Sequence, residues 1–156
     1  MLWAAAGAAE TLRVASYGAA LSRDGPGLLL RDLRRGDAQA RAAARAVAAA
    51  APDILLLTEF DYDMEGLALA AFAELLAREG HPMPHRFARR PNAGMASGVD
   101  LDGDGRRGDA EDMQGWGRFA GDGGMAILSR HPIDTAASRD HSELRWADLP
   151  ESLAPG

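Results

Sequence analysis

At 156 residues the chain has the length of one domain, and 47% hydrophobic residues against 26% charged ones is the balance of an ordinary folded protein with a core. A net charge of -6 argues against broad electrostatic capture of nucleic acid, which needs a basic face, but leaves room for a phosphate substrate reached through a metal ion. The absence of cysteine excludes a disulfide framework and a thiolate metal site, and no apolar run reaches transmembrane length.

Residues 1–10 open with MLWAAAGAA, an apolar stretch ending in small residues. It reads either as the back half of a secretory signal, with the mature chain starting near Glu10, or as a short strand-extending or unstructured segment. The first alternative places the protein in the periplasm or outside the cell, and the second leaves it cytoplasmic. Residues 11–156 form the domain proper.

Thr11 to Tyr17 alternates Leu12, Val14 and Ser16 against Arg13, Ala15 and Tyr17, which predicts a strand with Gly18 at its tip. Ser22 to Pro26 is turn chemistry, and the segment onward to Gly36 reads as a loop containing the triplet Leu28, Leu29, Leu30. Asp37 is placed as an N-cap for a helix over Ala38 to Ala51, where ten of fourteen residues are alanine, the strongest helix former. Pro52 stops that helix. Ile54 to Leu57 is then an apolar run of strand length, expected to be buried on both faces, and Glu59 and Asp61 emerge at its C-terminal edge, where open α/β sheets present ligand-binding groups. Strand, helix and strand in this order predict a parallel crossover unit and an α/β fold.

A second helix is expected from Gly66 to Glu79, with Leu67, Ala71, Phe72, Leu75 and Leu76 facing the core. His85 to Arg89 has a short strand-like alternation, and Met125 to Leu128 is an apolar strand. Between them, residues 90–122 show no helical or strand period. A loop of that length in one domain is usually functional or disordered.

Within it, Asp100, Asp102, Asp104, Gly105 and Glu111 fit D-x-D-x-D-G-x5-E, the spacing in which alternate carboxylates wrap Ca2+ and a backbone carbonyl, here that of Arg106, adds a ligand. Six acids stand against two arginines between Asp100 and Asp112, a local charge of -4 that a cation would offset. Met95 to Val99 is not helical in pattern, and Arg107 occupies a position where helix-loop-helix sites carry an aliphatic residue. The segment therefore reads as a calcium loop outside a helical hand, or as a flexible acidic loop. Gly115 to Gly124, with Trp116 and Phe119 embedded, lacks the G-K-[ST] of a phosphate loop, so its glycines are expected to permit close backbone approach.

Three motifs in order, LRVASY at 12–17, PDILLLTEFD at 52–61 and GMAILSRHPI at 124–133, resemble the endonuclease/exonuclease/phosphatase superfamily, whose fold is that of deoxyribonuclease I. SGVDLDGDGR at 97–106, WGRF at 116–119 and RWADLP at 145–150 are similar to a bacterial, often exported branch of it. The resemblance implies part of a four-layer α/β/β/α sandwich and a metal-dependent phosphoesterase, with Mg2+ or Mn2+ polarising the phosphate and a His/Asp pair activating water. It gives Glu59 the role of metal ligand. Gly18 stands where the family's first strand carries asparagine, and the G-D-[FL]-N and S-D-H motifs of the family's second half are absent, so the C-terminal half of the sandwich is expected to be missing. His81, His85, His131 and His141 lie outside the catalytic motifs, leaving no residue assigned to catalysis.

Two functions follow as expectations. One is a phosphoesterase acting on a phosphoester substrate of unspecified class, nucleic acid included, and inactive as this fragment. The other is a noncatalytic calcium-binding or interaction module derived from that fold. Half a sandwich also implies an exposed apolar face and self-association through it.

Overall fold

A computed structural model describes residues 11–141, 144 and 146–153; the amino-terminal segment read as a signal remnant lies outside them. The elements run β1 (Val14–Leu21), α1 (Leu28–Arg35), α2 (Ala38–Ala50), β2 (Ile54–Phe60), α3 (Leu67–Arg78), β3 (His85–Ala88) and β4 (Gly124–Ser129), with a 3-10 turn at Trp146–Asp148. The fold is α/β, one four-stranded sheet in the order β1-β2-β4-β3. β1 and β2 are parallel, as the crossover requires, while β4 pairs antiparallel with both β2 and β3.

The alanine-rich helix forms where its composition places it. Asp37 caps it by accepting the Ala40 N–H at 2.8 Å, and Ala51, in the left-handed region, ends it. Residues 28–35, read from sequence as loop, are instead helix α1. Of its four leucines, Leu29 and Leu33 at i and i+4 are buried, a spacing that the mixed composition between them obscures. Gly36, at φ 76°, closes that helix: its N–H reaches the Leu33 carbonyl and the Asp37 N–H reaches that of Asp32. The first strand also differs from expectation. It begins at Val14 and continues through Gly18 to Leu21, because Gly18 still pairs with Thr58.

Burial on both faces of β2 is not what the structure shows. Leu55, Leu57 and Phe60 are buried beneath the helices, whereas Ile54 and Leu56 are only half-buried. The reason is that the helices share a single core with one face of the sheet. That core joins Ala19 and Leu21 of β1, Ala126 and Leu128 of β4, and Ala43, Ala44, Val47, Phe72 and Leu76 of the helices. Phe72 meets Phe60 edge to face, ring centroids 5.9 Å apart, and full burial of such a ring contributes about 2–3 kcal/mol. On the opposite face Val14, paired with Ile54, is exposed, and so is Met125 beside Leu56, Phe87 and Ile127.

Asp53 fastens the end of the sheet where β2 begins. Its carboxylate accepts the Arg13 N–H and Arg130 Nη1, each at 2.8 Å, so one side chain holds the entries of β1 and β2 and the exit of β4. The Arg13 backbone N–H is the main cause holding this carboxyl below its ordinary value of 3.8; desolvation opposes it, and the Arg130 guanidinium adds to the lowering. A depressed folded value means that the stabilisation is complete above the unfolded value and is lost as pH falls through the folded one. Urea midpoints measured from pH 6 down to about pH 2 should fall less steeply in Asp53→Asn than in the parent chain; identical acid limbs would show that the carboxylate contributes nothing.

Candidate active site

β1 and β2 both leave regular pairing at the same level, with register shifts between Gly18 and Leu21 and between Leu57 and Phe60. Ala20 and Glu59 are the residues at these bulges with positive φ, 49° and 54°. For a residue with a side chain the left-handed region costs roughly 1–2 kcal/mol, a strain that collects where a strand must re-aim a functional group. Glu59 is thereby exposed at the C-terminal edge of β2, lining a cleft of about 320 Å³ with Ser22, Ala93, Trp116, Arg118, Asp122 and Gly123.

The acids around the cleft differ in how they are occupied. Asp61 is buried and accepts the Arg23 N–H at 2.8 Å and the Gly123 N–H at 3.2 Å. Desolvation raises its carboxyl above the usual range, the two N–H groups oppose the shift, and neighbouring Asp122 adds to it. Asp122, 4% exposed, accepts both the backbone N–H and Nε of Arg118 at 3.0 Å. These bonds, with Asp24 at the other end of the guanidinium, hold Arg118 firmly protonated. The guanidinium lies 5.8 Å from the Trp116 ring centroid, within cation–π range. Glu59 has no such partner among the hydrogen bonds and ion pairs described.

Three histidines are remote from this edge. His81 Nε2 lies 2.8 Å from the Pro52 carbonyl, at the start of β2, His85 pairs with Ser129, and His131 lies two residues past Ser129, the last residue of β4. Because Ser129 pairs with Ile54, all three belong to the end of the sheet opposite Glu59. At Gly18, where the resemblance implies asparagine, a Cβ would meet only Thr58 Oγ1 at 3.5 Å, an ordinary contact, so the backbone there does not demand glycine.

The long loop is folded by backbone pairing. Isolated bridges join Ala93 to Gly115 and Ala96 to Met113, and the Tyr62 N–H donates to the Gly121 carbonyl at 2.8 Å. Its glycines permit the close approach expected of them: a Cβ on Gly94 would lie 1.8 Å from the Phe119 carbonyl oxygen, and one on Gly117 2.6 Å from the Gly94 nitrogen. In the acidic part, carboxylate oxygens of Asp100, Asp102 and Asp112 come within 4.8 Å of one another. Asp104 and Glu111, which the sequence spacing put in the same set, are not in this group. Asp104 accepts the Arg106 N–H at 2.7 Å, and Glu111 accepts Trp116 Nε1 at 3.4 Å.

Asp112 stands one residue past the position the spacing gave to the closing acid. It is buried and bonded to the Leu101 and Gly108 N–H groups at 2.6 and 2.9 Å. Burial, then the charges of Asp112, Asp104, Asp102 and Glu111, push the Asp109 carboxyl up, so the loop does concentrate negative charge. Sequence reasoning did not single out Asp112, Asp122 or Arg118 as site residues. WGRF at 116–119 was the available signal for the last, since an arginine between aromatics in a glycine-rich loop is suited to phosphate and aromatic contacts alike.

No curated protein matches the chain. A solved structure of an endonuclease/exonuclease/phosphatase from Beutenbergia cavernae DSM 12333 is similar at 23% identity and a TM-score of 0.43, over 78% of this chain and 26% of that one. This chain thus spans about a quarter of that protein's length. The model of the Endonuclease/Exonuclease/phosphatase family matches residues 17–156, nearly the whole chain, and on that match the protein belongs to this family.

Proposed function

We propose that the cleft at the C-terminal edge of β2 is part of a metal-dependent phosphoester hydrolase site in which Glu59 anchors Mg2+ or Mn2+. The observation that carries this reading is the exposed Glu59 carboxylate, presented by a strained bulge while Asp61 and Asp122 are committed to N–H donors. One free carboxylate suits Mg2+, which keeps several waters and is held by one or two carboxylates together with substrate phosphate. When bound, such an ion polarises the phosphoryl oxygens. Family membership supports a phosphoesterase-type hydrolase fold, and its members are typically metal-dependent. Hydrolysis also needs a base for water, and three of the four histidines lie at the wrong end of the sheet. Among the described residues, then, none of these three histidines stands where it could serve as that base, and the cleft is read as one part of a larger site.

Calorimetry should detect Mg2+ binding that Glu59→Gln abolishes, with turnover of bis-p-nitrophenyl phosphate and plasmid DNA at background. Glu59-dependent turnover by this chain would show that a base has been overlooked. The strain gives an independent check: Glu59→Gly should be about 1 kcal/mol more stable than Glu59→Ala, because only glycine accepts the left-handed backbone freely. Equal stabilities would refute the strain account.

A second reading, a calcium-stabilised loop, is favoured by the convergence of Asp100, Asp102 and Asp112. Hard oxygen ligands select Ca2+, and a site without flanking helices suits the weak, roughly 0.1–1 mM affinities of extracellular modules, in keeping with a periplasmic or secreted protein. Calcium heat at millimolar concentration should disappear in Asp102→Ala, whose side chain is exposed; heat unchanged by that substitution would leave an ordinary acidic loop. The open sheet face is the surface through which the chain would self-associate, and a monomer at every concentration in sedimentation would exclude it.

A further inference from the structure

We propose that Arg118 is the anion-receiving group of the Glu59 cleft and that Asp24 caps it, standing where an oxygen of the incoming phosphoryl group would bind. This rests on the reading of the cleft as a phosphoester site and adds a substrate contact and a built-in competitor.

The two sides of the guanidinium are held very differently. On the inner side Nε and Nη2 face the two oxygens of Asp122 at 3.0 and 3.5 Å, and the Arg118 backbone N–H bonds the same carboxylate. Asp122 is 4% exposed, so swinging Arg118 away would leave a buried charge uncompensated. On the outer side Nη1 meets Asp24, whose side chain is 89% exposed. An exposed pair of this kind is weakened by solvent screening, so this carboxylate is displaced at little cost while the inner one is not.

The geometry suits a phosphate in other ways. Arg118 retains 37% side-chain exposure and lines the same cleft as Glu59. Its planar fork, fixed by Asp122, has less freedom to lose when an anion arrives. The Trp116 ring beside it limits its movement further. Without substrate, two carboxylates surround one guanidinium and Glu59 adds a third acid, so the cleft repels anions until Asp24 leaves or a cation enters. The Asp24 contact thus acts as a threshold on entry, set by a side chain that is not among those lining the cleft with Glu59.

The test is titration of the 156-residue chain with inorganic phosphate in EDTA, at constant ionic strength, following the Arg118 Nε–Hε resonance by NMR. Phosphate should shift that resonance with a millimolar midpoint. Asp24→Asn, an exposed change that leaves the fold intact, should tighten the midpoint at least threefold. Arg118→Lys, which keeps a charge for Asp122 but loses the fork, should weaken phosphate binding at least fivefold, as seen from the backbone amides of Ser22 and Gly123. A resonance unmoved by phosphate, or a midpoint unchanged by Asp24→Asn, overturns the proposal. Failure of the metal reading is distinguishable, because Mg2+ binding at Glu59 is measured separately without phosphate and its absence would leave the Arg118 result readable.

Discussion

The buried carboxylate of Asp61 is the contact on which the geometry of the cleft depends. It follows directly on β2, and its two acceptor oxygens hold the Arg23 N–H after β1 and the Gly123 N–H before β4. Three strands are thereby fixed at the end where the residues of the proposed site emerge. The cost is desolvation, visible in the raised carboxyl value, and the two backbone donors only partly offset it. Together with the Tyr62 N–H bond to the Gly121 carbonyl, this anchor ties Asp122, one residue from Gly123, and through it Arg118, to the strand end that carries Glu59.

Much of this was legible from residue patterns because it obeys short-range rules. The alanine run with Asp37 at its head is a helix whatever its surroundings, and the Ile54 to Leu57 run is a strand flanked by turn chemistry. Parallel pairing then followed from the order of the elements. Helix α1 was missed because its fully buried positions are only Leu29 and Leu33, with Leu30 partly buried beside them and arginines crowding the rest, so that the helical period is short and weak. Burial on both faces of β2 was the wrong inference from a continuous apolar run. Such a run shows that the strand lies at the centre of a sheet and does not show that both faces are covered.

The proposed site was half legible. Glu59 could be placed because a carboxylate after a buried strand is a local signal, whereas Arg118 and Asp122 come to the cleft through the fold of a thirty-residue loop with no period to read. The acidic loop shows the limits of spacing in another way. A pattern learned from helical hands fixes the closing acid by the exit of a helix; here no helix follows, and backbone bonds from Leu101 and Gly108 draw in Asp112 instead.

The same loop encodes its shape in an unusual currency. Where Gly94, Gly117 and Gly121 lie against the backbone of Phe119, Gly94 and Tyr62, the packing is main chain on main chain, with no side-chain volume to adjust. A protein engineer wishing to retune the cleft would therefore find the loop divided into two alphabets. The three glycines admit no alternative letter without remodelling the path of the chain, whereas at exposed positions such as Asp102 and Trp116 a substitution removes side-chain contacts alone, to the Asp104 N–H in the first case and to Glu111 and Arg118 in the second. Diversity introduced at the second set would be read out as changed recognition, with the scaffold beneath it held constant.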